Sequence, residues 1–182
     1  MHEQQIYLDF NATTPLAPEV AAAITQTLTV PFGNPSGEHW AGRPARQAVE
    51  EARAQVAALL GCSSDEIVFT SGASESNNHA LKGTFFAPSG RDGHIITTQV
   101  EHPSVLNACR FLERLGASVT YLPVDRFGQV DPDDVRRVLR PRSILISVMH
   151  ANNEVGTLQP ISEIGRVARE HGVFFTATRR NR

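Results

Sequence analysis

The chain has 182 residues, with 17 Lys plus Arg against 19 Asp plus Glu for a formal net charge of -2; this is the length of one domain or a large part of one, and the balance excludes a general basic field for nucleic acid or an anionic membrane. Its two cysteines, Cys62 and Cys109, stand in neither CxxC nor Cys/His spacing, so neither a disulfide framework nor a structural zinc site is expected, and a reducing, cytoplasmic setting fits. The opening MHEQQIYLDF has neither the basic region nor the apolar core of a signal peptide, and no run of about 18 apolar residues reads as a membrane span.

In chain order, residues 18–30 and 43–60 read as helices. In the second, Ala45, Val49, Ala52, Val56, Leu59 and Leu60 recur at helical spacing, and Gly61 supplies the stop. Residues 66–70 (EIVFT) read as a short strand, and SGASESNN then turns into a helix running to about Phe86. His94–Thr98 is the next strand. A helix begins near Pro103, whose missing N–H costs nothing in a first turn, and runs to Gly116. The strand SVTYLPV follows, then a helix opened by Asp131-Pro132-Asp133-Asp134, with its acids at the positive end of the dipole. SILISVM, residues 143–149, is the most apolar strand and is expected to be central. A helix from Pro160 to about Glu170 and the strand GVFFTAT complete the series. Strict alternation of strands and helices predicts an α/β fold, a mostly parallel sheet with helices on both faces. In such sheets ligands bind beyond the carboxyl ends of the strands, here just after Thr70, Thr98, Met149 and Thr178.

Three polar clusters fall on that rim. The run Thr70–Asn77 follows a strand and opens a helix: Gly72 permits a tight turn, the free first-turn N–H groups point outward, and the hydroxyls of Ser71 and Ser74 add donors, a place suited to a phosphate. A serine-rich helix cap would look the same. The run matches neither GxGxxG nor GxxxxGK[ST], and Ser76 stands where a GxSxG nucleophile elbow needs its second glycine. Glu101-His102-Pro103-Ser104 and Asn152-Asn153-Glu154 stand at two further strand ends. The other histidines, His2, His39, His79, His94, His150 and His171, form no HExxH or similar set, so no metal is implied and solvated surface positions are expected for them. Neither cysteine reads as an activated thiolate.

Tyr7–Pro15, Phe32–Ser36, Phe69–Asn77, Glu101–Val105 and Asn152–Gly156 together resemble the cysteine desulfurases, of the class V aminotransferase group of pyridoxal phosphate enzymes. The resemblance runs over about residues 6–175 and implies an incomplete large domain of the type I pyridoxal phosphate fold over residues 1–182. It implies that Ala73 and Ser74 bind the cofactor phosphate, that His102 stacks on the ring and helps move protons, and that Asn153 reaches the cofactor and the substrate carboxylate. The reaction implied takes L-cysteine to L-alanine and leaves a persulfide on an enzyme cysteine, for iron–sulfur cluster assembly or thiolation; a close branch acts on selenocysteine. The expected partners are a second copy of the chain in a homodimer and a sulfur acceptor protein, with no nucleic acid and no membrane.

The departures matter as much. Where the family has His-x-Asp-x-x-Gln, this chain has Thr176-Ala177-Thr178-Arg179-Arg180-Asn181. Thr178 replaces the aspartate that keeps a proton on the pyridine nitrogen, forgoing a charge-assisted bond worth about 1.5–3 kcal/mol. Asn181 replaces the glutamine that bonds the ring hydroxyl and is carried as a weaker cofactor contact. Lys82, the only lysine, lies about two helical turns beyond Ser74 and is expected to point away from a phosphate held at the helix start. The expectation is a desulfurase-like chain truncated before the Schiff-base lysine and the persulfide cysteine, lacking the small C-terminal domain, inactive alone, and holding pyridoxal phosphate weakly and non-covalently. The alternative is a non-catalytic remnant that binds a phosphate-bearing ligand or a family partner.

Overall fold

A computed structural model of the chain describes residues 6–10 and 12–178. They fall into two compact units divided after Phe69.

The first unit carries helices α1 (Pro18–Thr29) and α2 (Gly42–Leu60). Proline at the start of α1 needs no hydrogen-bond acceptor there. Helix α2 ends at Gly61, whose φ of 69° lies in the left-handed region that a glycine enters at no steric cost, and its N–H returns to Ala57 and Ala58. The strand expected over residues 66–70 does not form. Ser64–Glu66 is instead a 3-10 turn, closed by a capping box in which the Ser63 N–H donates to Glu66 Oε2 at 2.8 Å. Arg53 accounts for the rest: its Nη1 donates to the Ile67 carbonyl at 2.6 Å and its guanidinium lies 5.0 Å from the centre of the Phe69 ring. The carbonyl that a strand neighbour would bind is thus taken by a side chain.

The second unit is a four-stranded parallel sheet in the order β2-β1-β3-β4, built from β1 (His94–Thr98), β2 (Ser118–Leu122), β3 (Ser143–Ser147) and β4 (Phe174–Thr176). The connecting helices are α4 (Pro103–Glu113), α5 (Pro132–Val138) and α6 (Ile161–Glu170), and α3 (Ala73–Phe86) precedes the sheet. Period-two alternation divides the strand side chains between two cores. Ile95 and Leu145 pack with Leu81 and Phe85 of α3 and with Val105, Cys109 and Leu112 of α4. Their neighbours Ile96 and Ile146 pack with Val135 of α5 and with Ile164, Val167 and Ala168 of α6. Helices therefore cover both faces, as the alternation predicts. SILISVM is interior as expected, although regular pairing stops at Ser147. Beyond it the Val148 and His150 N–H groups donate to the carbonyls of Thr176 and Thr178 at 3.1 and 2.8 Å, so both chains leave the sheet side by side.

His94 departs from the surface position expected for it. It is 2 % exposed, with Nδ1 2.8 Å from Ser143 Oγ and Nε2 2.8 Å from Thr120 Oγ1, at the amino ends of the strands. Both partners come from neighbouring strands, which the local sequence does not show.

Candidate functional site

All four strands run the same way, so Thr98, Ser147 and Thr176 end at one edge of the sheet and the segments that follow them meet there. A cavity of about 340 Å³ opens at this edge, within the range of roughly 300–1,000 Å³ typical of small-molecule sites. Its lining includes Gly72, Ala73 and Ser74 from the start of α3, His102 and Ser104 from the start of α4, Asn153 from the loop after β3, and Thr178 from the segment after β4. The chain thus brings Ala73, Ser74, His102 and Asn153 together. Asn181 lies outside the described residues.

Helix α3 has no side-chain cap on Gly72, and the first-turn N–H groups of a helix have no intrahelical acceptors. They face a space where an anion would satisfy them and meet the positive end of the dipole. Gly72 itself is extended, with φ 161° and ψ 178°, and the chain bends at Ser71 and Gly72 as it enters α3. A Cβ at Gly72 would meet no atom of the chain within 4 Å. Glu75 also lines the cavity. Its Oε2 accepts from the hydroxyl and the backbone N–H of Ser71, both at 2.6 Å, and these bonds, the hydroxyl's first, hold its carboxyl below the usual range.

His102 serves as the N-cap of α4, its Nδ1 accepting from the Ser104 N–H at 3.1 Å. Asn152 shapes the opposite wall: its Oδ1 accepts from the N–H groups of Glu154 and Val155 at 2.9 and 3.0 Å, and its Nδ2 donates to the Val100 carbonyl at 3.2 Å. That Asx turn leaves Asn153 at the cavity. A wider cleft of about 730 Å³, lined by Asp125, Arg126 and Phe127 among others, shares His102 and Asn153 with the cavity.

Sequence reasoning gave Glu101 no role of its own, yet it joins the two interior strands at the site. Its carboxylate is buried, 4 % exposed, and Oε1 accepts from Thr98 Oγ1 at 3.0 Å and from the Met149 N–H at 2.8 Å, while Oε2 is buried without a partner among the described residues. Burial pushes its carboxyl up to about 7 against the two hydrogen bonds, which favour the charged form. An acid directly after a strand end is the only sequence signal it gives. Asn77 and Ser104 were likewise unassigned, although Pro103 at the first helical position marks Ser104 as the first free N–H of α4.

Lys82 does not line the cavity. Its Nζ lies 4.6 Å from the centre of the Phe111 ring, in a groove between α3 and α4. Cys109 is fully buried on α4, where burial, with Glu113 and Glu101 adding, pushes its thiol up to about 12.

Pyridoxal phosphate fits this lining in part. The uncapped start of α3 suits its phosphate, and an imidazole and an amide also line the cavity. Thr178, also in the lining, offers a neutral hydroxyl rather than a carboxylate, the Glu75 carboxylate there is already bonded twice by Ser71, and Lys82, the chain's only lysine, does not line the cavity. The residues fit binding and do not fit the electron-sink chemistry.

Comparison with known proteins places these observations in a family. The aminotransferase class-V profile matches residues 6–177. A protein of Dictyoglomus turgidum named cysteine desulfurase IscS is 54 % identical over 173 residues, which are 95 % of this chain and 44 % of that protein. The solved structure of SspA in complex with cysteine superimposes with a TM-score of 0.89 at 44 % identity, covering 94 % of this chain and 49 % of that one. A NifS-like protein gives a TM-score of 0.91 at 35 % identity, over 97 % of this chain and 49 % of its own. The chain spans less than half the length of the relatives it matches.

Proposed function

This chain belongs to the aminotransferase class-V family, and from that premise we propose that it forms part of the large, cofactor-binding domain of a pyridoxal phosphate-dependent cysteine desulfurase. The whole protein would convert L-cysteine to L-alanine and pass the sulfur, as a persulfide, to an acceptor protein for iron–sulfur cluster assembly or thiolation, working as a homodimer in the reducing cytoplasm. The observation that carries this reading is the meeting of Ala73, Ser74, His102 and Asn153 around one cavity at the carboxyl edge of a parallel sheet. Within the domain the start of α3 binds the phosphate, His102 faces the ring, and Asn153 orients ring and substrate.

The 182 residues bind without turnover. Lys82 sits over Phe111 and Cys109 is buried on α4, so neither supplies the amine or the thiolate of the reaction, and Thr178 leaves the pyridine nitrogen without an acid partner. Titration of the chain with pyridoxal phosphate, followed by absorbance, is expected to show weak, reversible binding that inorganic phosphate competes away. Ser74→Asp puts a negative charge in the anion's place while suiting a helix start, so it should leave the fold intact and weaken binding at least about tenfold. Binding unaffected by phosphate and by this variant would overturn the assignment.

A further inference from the structure

The His102 side chain is held by Ser104, which is in turn held by Asn77. Its Nδ1 accepts from the backbone N–H of Ser104 at 3.1 Å and lies 2.8 Å from Ser104 Oγ. A backbone N–H can only donate, so Nδ1 is an acceptor and carries no proton. Asn77, 9 % exposed at the base of the cavity, donates from Nδ2 to the same Ser104 hydroxyl at 2.8 Å. With its oxygen accepting from Asn77, the Ser104 O–H turns onto Nδ1. The hydrogen bonds run in one direction, from Asn77 to Ser104 to His102, and a neutral ring so held carries its one proton on Nε2. Nε2 has no hydrogen-bond partner among the described residues.

We propose that Asn77 and Ser104 are positioning residues that fix neutral His102 in its Nε2–H tautomer, so that the nitrogen left for a ligand in the cavity is a hydrogen-bond donor. What that donor does in a reaction rests on the pyridoxal phosphate reading; the tautomer itself does not. In this state His102 gives a hydrogen bond to an acceptor atom of a bound molecule. It takes up a proton on Nδ1, beside Ser104, or on Nε2 only after releasing the one already there. His102 would thus meet a bound ligand as a donor, not as an acceptor.

The test is long-range ¹H–¹⁵N NMR of the histidine-labelled chain without ligand, at about pH 9, where an ordinary imidazole is neutral, with His102→Asn used to assign the ring. The wild-type chain is expected to show a single pattern with Nδ1 unprotonated. Asn77→Asp conserves size but replaces the donor by an acceptor: the Ser104 O–H turns to the carboxylate, and the ratio of tautomers should move about tenfold toward Nδ1–H, the factor one ordinary hydrogen bond supplies. Ser104→Thr, which keeps the hydroxyl, should retain the wild-type pattern. A residue that only fills space would leave the Asn77→Asp pattern unchanged, and that result, or a protonated Nδ1 in the wild-type chain, overturns the proposal. Should either variant unfold, the wild-type pattern still decides the tautomer. A chain that shows the expected pattern but binds no pyridoxal phosphate refutes the functional reading alone.

Discussion

Replacing Glu101 by glutamine should make the stability of the chain rise with pH between about pH 4.5 and 6.5, where the wild-type contributions of Glu101 and His94 cancel. Burial raises the folded carboxyl from its ordinary 4.5 to about 7, so the folded state binds this proton more tightly than the unfolded chain does. Its contribution is therefore complete below about pH 4.5 and is lost as pH rises through 7. At about 1.4 kcal/mol per pH unit, that interval corresponds to about 3–4 kcal/mol. His94 acts in the opposite sense. Burial, with Arg140 adding, lowers it from 6.5 to about 4, so its contribution is present above 6.5 and is lost as pH falls through 4. Between about pH 4.5 and 6.5 the two proton differences cancel and leave these groups no net slope. Glu101→Gln keeps an oxygen for Thr98 and the Met149 N–H, adds a pH-independent cost for an amide N–H at the unpartnered position, and leaves His94 unopposed. Urea unfolding at a series of pH values should then show the variant gaining about 1.4 kcal/mol per pH unit relative to wild type across that window. Any contribution common to both chains drops out of the difference. Parallel curves would show that Glu101 ionises in the folded chain as it does in the unfolded one, and would refute the reasoning.

Thr178→Asp should tighten pyridoxal phosphate binding by about ten- to a hundredfold, since a carboxylate facing a pyridine nitrogen supplies a charge-assisted bond of about 1.5–3 kcal/mol; unchanged affinity by titration would remove Thr178 from the ring's surroundings. Borohydride reduction with pyridoxal phosphate, read by peptide mass spectrometry, should leave Lys82 without stoichiometric label because its Nζ lies over Phe111; stoichiometric labelling there would contradict the placement. Ile146→Ala empties a fully buried position in the core beneath α6 and should cost about 2–5 kcal/mol in urea unfolding, with the sheet signal in circular dichroism lost at correspondingly lower urea.

Much of this chain is written locally. Short apolar or β-branched runs such as His94–Thr98 and Ser143–Ser147, helical spacing in residues 43–60, prolines at helix starts and Gly61 at a helix end each act within a few residues, so they fix where elements begin and stop. Alternation of those elements then requires parallel strands, and parallel strands bring His102 and Asn153 to one edge without further information, while Ser74 arrives there through the packing of α3 on α4 and the sheet. The tertiary structure alone decided whatever depended on a distant partner. Residues 66–70 read as a strand, but Arg53, fourteen positions before Ile67, takes the carbonyl of Ile67. His94 looks like one more surface histidine until Thr120 and Ser143 close on both ring nitrogens. Glu101 becomes a buried acid only because the Met149 N–H, 48 residues away, meets it at the end of the neighbouring strand. Burial and hydrogen-bond pairing set the charge of such groups, and both come from chain segments that no local pattern names.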